Sequence, residues 1–373
     1  MTFGVAVIGM GWMGRVHTQA YARVRHHYPD LPAPELIAVA DDVPGRAASA
    51  ARQFGFARST LDWRELLDDP RIEAVSVTAP NFLHREIGAA VAASGRHLWI
   101  EKPVGLSAAD ARAITGPGQV TVGFNYRHAP AVARARALLA DGAIGTVTHA
   151  RFSFLSDYAA SPDDALTWRF ERERGGSGVL GDLGSHAVDL IRHLLGEIVS
   201  TSAASAILIP QRRRPLGVTS GHERGTGELG AVENEDWVGA LLRLGSGARV
   251  SLEASRVATG SPNAYGFQIH GTAGALSWDF RRMGELRAGA ATIPAGPFSV
   301  GPGDGEFGAF QPGAAIPMSY DDLKVVEASL FLRSIADGTP HGPTLADAIR
   351  AAEVLEAIAD SASTGRNRFV VSN

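Results

Sequence analysis

The feature that most constrains the fold is an alternation of short apolar runs with amphipathic stretches over the first 126 residues. The apolar runs predict strands at Phe3–Ile8, Leu36–Ala40, Ala74–Thr78, His97–Ile100 and Gln119–Gly123. The amphipathic stretches between them predict helices at 13–26, 44–54, 63–68, 83–94 and 108–115. Strands that alternate with helices form βαβ units, in which helices cover both faces of a parallel sheet. We therefore expect an α/β domain with a doubly wound parallel sheet over residues 1–126.

Beyond residue 126 the pattern changes. A helical stretch at 129–140 is followed by extended runs with few helices between them, at 147–155, 198–209, 237–244, 248–256, 265–270 and 275–280. Such strands in succession predict a mostly antiparallel sheet. Two helical stretches, Tyr320–Asp337 and Leu345–Ser363, close the chain, and the Gly- and Pro-rich segments 210–231 and 284–315 are predicted as loops. Residues 127–373 thus form a second, α+β domain for substrate binding and oligomerisation, whose C-terminal helices pack back on the first domain.

The first strand runs directly into Gly9-Met10-Gly11-Trp12-Met13-Gly14, which opens a helix. In a G-x-G-x-x-G turn, Gly9 allows the tight turn, Gly11 lets the backbone approach a pyrophosphate, and Gly14 lets helix and strand pack closely. The helix N-terminus adds N–H groups and a positive dipole end for the phosphates. In this context the pattern indicates a Rossmann domain that binds a dinucleotide, with Trp12 and Met13 also beside the cofactor.

The second predicted strand ends in Asp41, which Asp42 follows. A carboxylate at this position accepts the ribose hydroxyls of an adenosine and repels a 2′-phosphate, so we expect NAD rather than NADP. Arg46 lies close enough in sequence to weaken that preference. The alternative is that Asp41 caps the next helix.

Composition excludes several classes of protein. The formal net charge of −4 offers no electrostatic footprint for nucleic acid, and the absence of cysteine excludes disulfides, thiolate metal sites and cysteine nucleophiles. No apolar run is long enough for a membrane span, and the N-terminus lacks the features of a signal peptide. We expect a cytoplasmic protein.

Only two of the 35 basic residues are lysines, Lys102 and Lys324. A position that stays lysine in such a chain can need a compact ammonium that arginine does not supply. Lys102 lies in Glu101-Lys102-Pro103, at the carboxyl end of a predicted parallel strand, where ligands bind in such sheets. Lys324 has acidic neighbours at 321, 322 and 327 and is interpreted as a lysine in a surface ion pair.

Another predicted strand ends in Pro80-Asn81-Phe82-Leu83-His84. The order of the glycine turn, Asp41, P-N-x-x-H and Glu101-Lys102-Pro103 resembles the Gfo/Idh/MocA family of nicotinamide-dependent sugar and cyclitol dehydrogenases. The stretch from Gly175 to Asp189 is similar to that family's G-G-G-x-L-x-D-x-G-x-H-x-x-D motif, and the resemblance extends over essentially the whole chain. It implies that NAD contacts Pro80, Asn81, His84, Glu101 and Lys102 in addition to the glycine turn and the two aspartates.

The resemblance also implies a catalytic group of Lys102, Asp182 and His186. Asp182 and His186 are four residues apart at the start of a helix predicted over 184–195, so both can face one cleft. An imidazole suits a general base for a hydroxyl proton, and Lys102 can stabilise a developing alkoxide. Asp182 would then orient the substrate or adjust the pKa of the neighbouring catalytic residues. The alternatives are that Asp182 is a helix N-cap, His186 a core residue and Lys102 a solvated loop residue.

Aromatic and hydrogen-bonding residues near these motifs are candidates for binding a polyhydroxylated ring. They are Tyr126, Arg127, Asp157, Tyr158, Trp168 and Arg169. The segment Thr167-Trp168-Arg169-Phe170 with the second motif resembles the branch that includes inositol dehydrogenases and dehydrogenases of levoglucosan-like or glycosidic sugars. Each candidate can equally belong to an aromatic core with surface arginines.

The resulting prediction is NAD-dependent oxidation of a secondary hydroxyl of a cyclic polyol: an inositol, sugar, anhydrosugar or glycoside. One alternative is tightly held NAD used without net redox change, as in sugar–sugar oxidoreduction or oxidation–elimination cleavage of a glycoside. Another is a non-catalytic regulator that senses NAD and sugar. We expect no metal, because Asp182 and His186 have no evident third ligand, no nucleic-acid or membrane partner, and a homodimer or homotetramer formed through the second sheet.

Overall fold

A computed structural model describes residues 2–217, 224–290 and 293–370. The chain divides into two compact units. The first comprises the chain up to Asn125 together with Ser319–Ile349, and the second comprises Tyr126–Met318 and the chain from Arg350 onward. The predicted boundary after residue 126 lies close to this division, but Ser319–Ile349 returns to the first unit, so the unit that follows Asn125 is not one continuous segment.

The strands of the described residues are β1 (Thr2–Ile8), β2 (Ala33–Ala40), β3 (Arg58–Thr60), β4 (Ala74–Val77), β5 (His97–Ile100), β6 (Val120–Val122), β7 (Val147–Leu155), β8 (Ile198–Ala206), β9 (Gln211–Arg213), β10 (Leu229–Ala231), β11 (Trp237–Leu244), β12 (Arg249–Ser255), β13 (Ala264–Gly271), β14 (Gly274–Asp279), β15 (Glu285–Ala290), β16 (Ile293–Ser299) and β17 (Arg368–Phe369). The helices are α1 (Trp12–His27), α2 (Arg46–Phe54), α3 (His84–Ala93), α4 (Ala108–Arg112), α5 (Pro130–Ala140), α6 (Arg172–Gly175), α7 (Ser185–Leu195), α8 (Tyr320–Asp337) and α9 (Leu345–Thr364).

The first unit is built on a six-stranded parallel sheet in the order β3-β2-β1-β4-β5-β6. Its central strands are buried on both faces, as the continuous apolar runs predict. Helix α1 packs on β1, β2 and β4, and α8 packs along α1. The strand order reverses between β1 and β4, so the carboxyl ends of these two strands border the crevice in which doubly wound sheets bind ligands.

Helix α8 matches the predicted range at both ends, because both ends carry a local signal. Ser319 forms a capping box with Asp322 at the start, and Gly338, with a φ of 76°, ends the helix.

The second unit contains a nine-stranded sheet in the order β16-β15-β14-β13-β7-β12-β11-β8-β17. Its strand pairs are antiparallel except for β7 and β12, which run parallel. Along β11, Val238, Ala240 and Leu242 are buried on one face, whereas Leu241 on the other face is 67% exposed. The mostly antiparallel second sheet predicted from the sequence is therefore confirmed.

Several segments differ from the sequence prediction. The loops predicted at 210–231 and 284–315 contain two strand pairs, β9 with β10 and β15 with β16, and the prediction of loops there is wrong. Residues 218–223 and 291–292 of those segments lie outside the described residues. Strands β3 and β17 were not predicted, because each is only two or three residues long and is stabilised by a neighbouring strand. The helix predicted at 63–68 is a single 3₁₀ turn, Trp63–Leu66.

Among the described residues, none of the helices is both long and apolar enough to span a bilayer.

Candidate active site

The glycine turn between β1 and α1 packs against the chain that follows β4. Gly9 has a φ of 89°, and a Cβ added there would lie 2.7 Å from the backbone nitrogen of Ala79. A Cβ on Gly14 would lie 2.0 Å from the carbonyl oxygen of Gly9, so the fold itself requires both glycines. Gly11 differs, because its φ is −73° and no atom lies within 4 Å of an added Cβ. The open space at Gly11, at the N-terminus of α1, fits the pyrophosphate of a dinucleotide.

Asp41 connects the end of β2 to this turn. Its Oδ2 accepts a hydrogen bond of 2.6 Å from the backbone N–H of Met10, and its Oδ1 accepts one of 2.9 Å from the backbone two residues later. The guanidinium of Arg46 lies 3.4 Å from the same Oδ1. Helix α2 begins after Gly45, so Asp41 is not its N-cap. Asp41 is buried and Asp42 is exposed, and contact of either carboxylate with a ribose stays a prediction.

Trp12 and Met13 contact a residue that the sequence analysis missed. The indole of Trp12, 66% exposed, stacks on the ring of Tyr320 with 5.4 Å between centroids. The hydroxyl of Tyr320 lies 3.7 Å from the sulfur of Met13. Burial raises the pKa of Tyr320, so the phenol stays protonated. The first residue of α8 therefore belongs to the surroundings of the glycine turn.

The segment after β4 carries Pro80, Asn81 and His84. Pro80 and Asn81 are half-buried at the start of a 3₁₀ turn, and His84 begins α3. The His84 ring is buried, with Nδ1 2.7 Å from the carbonyl oxygen of Pro103 and Nε2 2.7 Å from that of Ala79. Burial lowers the pKa of His84. His84 thus connects the ends of β4 and β5, and both ring nitrogens face backbone carbonyls. That this histidine binds cofactor stays a prediction.

Lys102 follows β5 and is half-buried, whereas Glu101 before it is buried. The Oε1 of Glu101 lies 2.5 Å from Nζ of Lys324 and 2.8 Å from Nε2 of His17. Lys324 also donates to Glu327 over 2.7 Å. The interpretation of Lys324 as a surface lysine is wrong, since its side chain is fully buried. Glu101 is therefore bound by protein side chains, and its contact with cofactor stays a prediction.

The same cluster brings together three groups that could ligate a cation. One ligand atom from each of His17, Glu101 and Glu327 lies within 4.8 Å of the others. The ammonium of Lys324 donates to two of these residues and supplies the positive charge that a metal would otherwise bring. A signal for this burial was present in the sequence, because Lys324 lies between Leu323 and the apolar pair at 325 and 326.

In the second unit, Asp182 and His186 lie on successive turns. Asp182 belongs to a π-helical turn, Leu180–Gly184, that continues into α7, and His186 lies in the first turn of α7. The hydroxyl of Tyr158 donates a hydrogen bond of 2.8 Å to Oδ2 of Asp182. Burial and the nearby carboxylate raise the pKa of Tyr158, so it stays a donor. Tyr158 and Asp182 are brought together, and the N-cap position of α7 is Gly184, not Asp182.

Tyr126 and Arg127 are both engaged within the second unit. The ring of Tyr126 is buried and meets that of His186 edge-on, with 4.7 Å between centroids. The guanidinium of Arg127 forms two hydrogen bonds to the buried carboxylate of Asp189, at 2.7 and 2.5 Å. Tyr126 therefore borders the predicted base, whereas Arg127 is paired with a residue of α7.

Of the remaining substrate candidates, Asp157 lies on a loop, and Trp168 and Arg169 lie in a 3₁₀ turn, Trp168–Phe170. Asp157 is half-buried, and the guanidinium of Arg169 lies 4.5 Å from the ring of its neighbour Trp168. The next residue, Phe170, is buried, and the guanidinium groups of Arg212 and Arg256 each lie 4.5 Å from its ring. The sequence analysis missed this arginine pair, whose members are far apart in sequence.

Arg256 is held by a buried ion pair. Its Nε donates over 2.8 Å to Oδ1 of Asp236, and both side chains are almost fully buried. The other oxygen of Asp236 accepts two backbone N–H groups, from Leu208 and Ile209. The carboxylate thus accepts hydrogen bonds from three donors, and it holds the guanidinium of Arg256 against the ring of Phe170, the last residue of this 3₁₀ turn.

Two family models match the chain. One, described as an oxidoreductase family with an NAD-binding Rossmann fold, matches residues 3–116, and the other, described as the GFO/IDH/MocA C-terminal domain, matches residues 132–277. The chain belongs to the Gfo/Idh/MocA family of oxidoreductases. The predicted family, the predicted fold class and the predicted NAD cofactor are confirmed.

Relatives within the family include several sugar and cyclitol dehydrogenases. Levoglucosan dehydrogenase of Pseudarthrobacter phenanthrenivorans is 36% identical, and the match covers 96% of each chain. Inositol 2-dehydrogenase of Rhizobium meliloti is 29% identical over 76% of this chain and 77% of the relative. A solved levoglucosan dehydrogenase in complex with NADH and levoglucosan superposes with a TM-score of 0.93 at 34% identity, covering all of both chains.

Proposed function

We propose that this Gfo/Idh/MocA oxidoreductase oxidises a secondary hydroxyl of a cyclic polyol, with NAD as the acceptor. The observation that carries the proposal is the match of 36% identity over 96% of each chain with levoglucosan dehydrogenase. Levoglucosan is therefore the first substrate to test, followed by inositols, other anhydrosugars, aldoses and glycosides. Levoglucosan and inositol, the compounds in the names of these relatives, are both rings that carry neighbouring hydroxyl groups, and this is the class of substrate proposed here.

We further propose that Lys102, Asp182 and His186 act in this reaction. His186 accepts the proton of the reacting hydroxyl, since imidazole exchanges protons near neutral pH. Lys102 donates a hydrogen bond to the same oxygen and stabilises the alkoxide that develops on it. Asp182, held by Tyr158, orients a neighbouring hydroxyl. Bound NAD supplies the hydride acceptor, so the carbinol carbon loses a hydride, its oxygen loses a proton, and a ketone results.

The test combines a substrate screen with variants of Lys102. NADH formation is measured across the polyols named above, with NAD and NADP in parallel. Lys102→Met, which removes the ammonium and nearly keeps the side-chain length, is expected to lower kcat by about 10² to 10⁴-fold. Lys102→Arg is the control for charge alone and is expected to be impaired as well, since a planar guanidinium does not replace a compact ammonium.

Two results would contradict the proposal. Turnover by Lys102→Met within about tenfold of wild type would remove Lys102 from the catalytic group. Retention of NAD through purification, with product formed but no NADH accumulating, would instead favour tightly held NAD without net redox change.

We also propose a homodimer or homotetramer formed through the nine-stranded sheet. Leu241 on β11 and Phe369 on β17 are 67% and 68% exposed. Both pair with residues of β8 two positions apart, Ser202 and Ser200, so they lie on the same face of the sheet. Apolar side chains exposed together on a sheet face favour burial against a second copy. Light scattering is expected to give a multiple of 39.2 kDa, with Leu241→Arg shifting the mass toward the monomer; a monomer in wild type would refute the proposal.

A further inference from the structure

The strand pair β9–β10 contacts the segment of the second unit that carries most of the substrate candidates. The carbonyl oxygen of Arg213 on β9 accepts the backbone N–H of Leu166 over 2.8 Å. A Cβ added to Gly230 on β10 would lie 2.5 Å from the side chain of Leu166, so both strands lie close to this residue. We call residues 157–170, which hold four of the six substrate candidates, the substrate segment.

Arg212 extends from β9 into the substrate segment. Its side chain has no solvent exposure, although both neighbours on the strand are exposed. Nη2 donates over 2.5 Å to the carbonyl oxygen of Ala159, and Nη1 donates over 2.6 Å to that of Ser161. The guanidinium also lies 4.5 Å from the centroid of the Phe170 ring. One side chain therefore contacts both the beginning and the end of the segment.

The backbone of Ala159 is held through both its N–H and its C=O group. The N–H donates over 3.0 Å to the carbonyl oxygen of Arg256, and the carbonyl oxygen accepts from Arg212. Ala159 and Phe170 belong to a small buried apolar cluster, against which the side chain of Tyr158 packs. Arg212 thus contacts the residue that directly follows Tyr158 and also the cluster that supports the Tyr158 ring.

Tyr158 is in turn a hydrogen-bond donor to Asp182. Its hydroxyl lies 2.8 Å from Oδ2 of that carboxylate. Hydrogen bonds between two oxygen atoms span about 2.5–3.0 Å, so a displacement of the Tyr158 hydroxyl by about 0.5 Å away from Asp182 takes the contact outside this range. The position of the substrate segment therefore decides whether Asp182 keeps this donor.

We propose that Arg212 is a positioning residue for the reaction, because it holds the backbone next to Tyr158 and thereby keeps the phenol on Asp182. This inference rests on the proposed role of Asp182. A planar guanidinium suits the task, since its two terminal nitrogens each hold a different carbonyl group in a fixed geometry. Burial lowers the pKa of Arg212, but a guanidinium stays charged at neutral pH, whereas a buried lysine loses its charge more readily.

The surroundings of Arg212 favour a positioning role over a contribution to stability. Nη1 and Nη2 donate to neutral carbonyl groups, and the carboxylate of Asp164 lies 4.0 Å from Nη1, at the limit of an ion pair. Burial of a charge in such surroundings costs stability compared with an apolar side chain of similar volume. The directed contacts that Arg212 makes to the substrate segment are what an apolar side chain could not supply.

A fluorine spectrum tests the contact without any substrate. The chain has six tyrosines, so uniform labelling with 3-fluorotyrosine gives six resonances, and that of Tyr158 is the one lost in Tyr158→Phe. Asp182→Asn shows how this resonance moves when the acceptor loses its charge. Arg212→Met is expected to shift it in the same direction, by at least about half as much, because the phenol leaves the carboxylate. The resonance of Tyr21, in the other unit, is expected to stay unchanged.

Arg213→Met is the matched control. It makes the same replacement at the next position of β9, where the side chain is exposed and donates to the carbonyl oxygen of Gly227, and it is expected to leave the Tyr158 resonance unchanged. If Arg212→Met fails to fold, Arg212→Lys takes its place. With one nitrogen for two carbonyl groups, the lysine is expected to cause a smaller shift in the same direction. An unchanged Tyr158 resonance in Arg212→Met, or in Arg212→Lys where it takes that place, would overturn the inference.

Turnover connects the contact to the reaction. With levoglucosan, or with the polyol that the substrate screen identifies, Arg212→Met is expected to lower kcat/KM about tenfold or more. In the Tyr158→Phe background the same substitution is expected to lower kcat/KM less than about threefold, because the hydrogen bond to Asp182 is already absent. The loss of thermal stability is expected to be the same in both backgrounds. An equal fall of kcat/KM in both backgrounds would show that Arg212 does not act through Tyr158 and would overturn the inference.

The two proposals fail in different ways. If no polyol is oxidised, the proposed function fails, and the fluorine spectrum still decides whether Arg212 positions Tyr158. If Asp182→Asn is fully active, the proposed role of Asp182 fails first. If Asp182→Asn loses turnover but the Arg212 variants change only thermal stability, the inference fails while the role of Asp182 stands.

Discussion

Gly11 and Gly14 belong to one motif, yet the structure assigns them different tasks, and two substitutions to alanine separate these tasks. A methyl group at Gly14 would lie 2.0 Å from the carbonyl oxygen of Gly9 and 3.0 Å from Oγ1 of Thr78. A methyl group at Gly11 meets no protein atom within 4 Å, and the φ of −73° there is allowed for alanine. Gly14→Ala therefore perturbs the fold, whereas Gly11→Ala perturbs the space reserved for the cofactor.

The magnitudes follow from these distances. The atom that the Gly14 methyl meets belongs to the backbone, so β1 and α1 must separate by about 1 Å, and overpacking of this kind costs about 1–3 kcal/mol. We expect the upper end, which corresponds to a fall in Tm of roughly 5–10 °C for a unit of this size. Gly11→Ala reduces the freedom of the unfolded chain, but the ψ of −161° lies at the edge of the β region, so stability is expected to stay within about 1 kcal/mol of wild type. A pyrophosphate bound at Gly11 would meet this methyl, and a loss of about 3 kcal/mol corresponds to a more than hundredfold weaker NADH affinity.

The assay measures stability and binding on the same samples. Thermal unfolding without cofactor gives the change in stability, and titration of NADH by fluorescence gives Kd at a temperature at which all variants are folded. The two variants are controls for each other, because each keeps the property that the other loses. If Gly11→Ala binds NADH as tightly as wild type, the pyrophosphate does not approach Gly11. If Gly14→Ala is as stable as wild type, the close packing of α1 on β1 does not require glycine.

Three further outcomes test other parts of the structure. Asp41→Ser removes the carboxylate that is predicted to disfavour a 2′-phosphate and leaves Arg46 to pair with that phosphate. The ratio of NADPH affinity to NADH affinity is therefore expected to rise about tenfold or more. An unchanged ratio would show that Asp41 does not select between the two cofactors. Arg256→Met removes the ion-pair partner of the buried Asp236 carboxylate and is expected to lower the free energy of unfolding in urea by about 3–5 kcal/mol. Arg281→Met, in an exposed pair, is expected to lower it by less than about 1 kcal/mol, and equal losses would contradict this. Burial lowers the pKa of His17 from 6.5 to about 4, so between these pH values a proton binds the unfolded chain more readily than the folded one. As the pH drops from about 7 to 4, the free energy of unfolding of wild type relative to His17→Gln is therefore expected to fall by about 3 kcal/mol. A difference that does not change with pH would refute the effect of burial.

The fold was predictable wherever the signal is local. Helix α8 matches its predicted range because Ser319 and Gly338 mark its ends, and the glycine turn lies where its own pattern places it. Strands β15 and β16 were not predictable in this way, because their Gly- and Pro-rich segment forms strands only by pairing with the edge of a sheet. Pro297 has no N–H group, but β16 is an edge strand that pairs with a neighbour on one side only, so proline is tolerated there.

The environment of the candidate site was less predictable than its motif residues. The acidic neighbours of Lys324 in sequence suggested a surface ion pair, but its strongest partner, Glu101, lies 223 residues away and only the fold brings them together. Arg127 likewise pairs with Asp189, 62 residues away, which no local pattern indicates. Residue type and position were readable in the sequence, whereas long-range partners depend on the arrangement of the sheets.

In the second unit, the buried ion pair of Arg256 and Asp236 is close in the chain to a residue that binds the turn carrying Asp182. Asp236, the partner of Arg256, directly follows Glu235. The backbone carbonyl of Glu235 accepts the N–H of Val179 over 2.9 Å, and its carboxylate accepts the next N–H, that of Leu180, over 3.1 Å. These two residues begin the turn that carries Asp182. The buried pair is thus connected to Asp182 through two hydrogen bonds at the start of its turn.

Stability alone does not explain why each unit keeps a buried ion pair at this place. Exchange of a buried pair for apolar residues of similar volume is often neutral or stabilising, whereas loss of one partner is costly. Apolar packing tolerates small shifts, but a carboxylate with several directed donors holds its backbone within a narrow range of positions. In both units the backbone held in this way leads directly into a group proposed to act on the substrate. Each buried pair therefore holds, at a cost in stability, backbone that leads into Lys102 or Asp182.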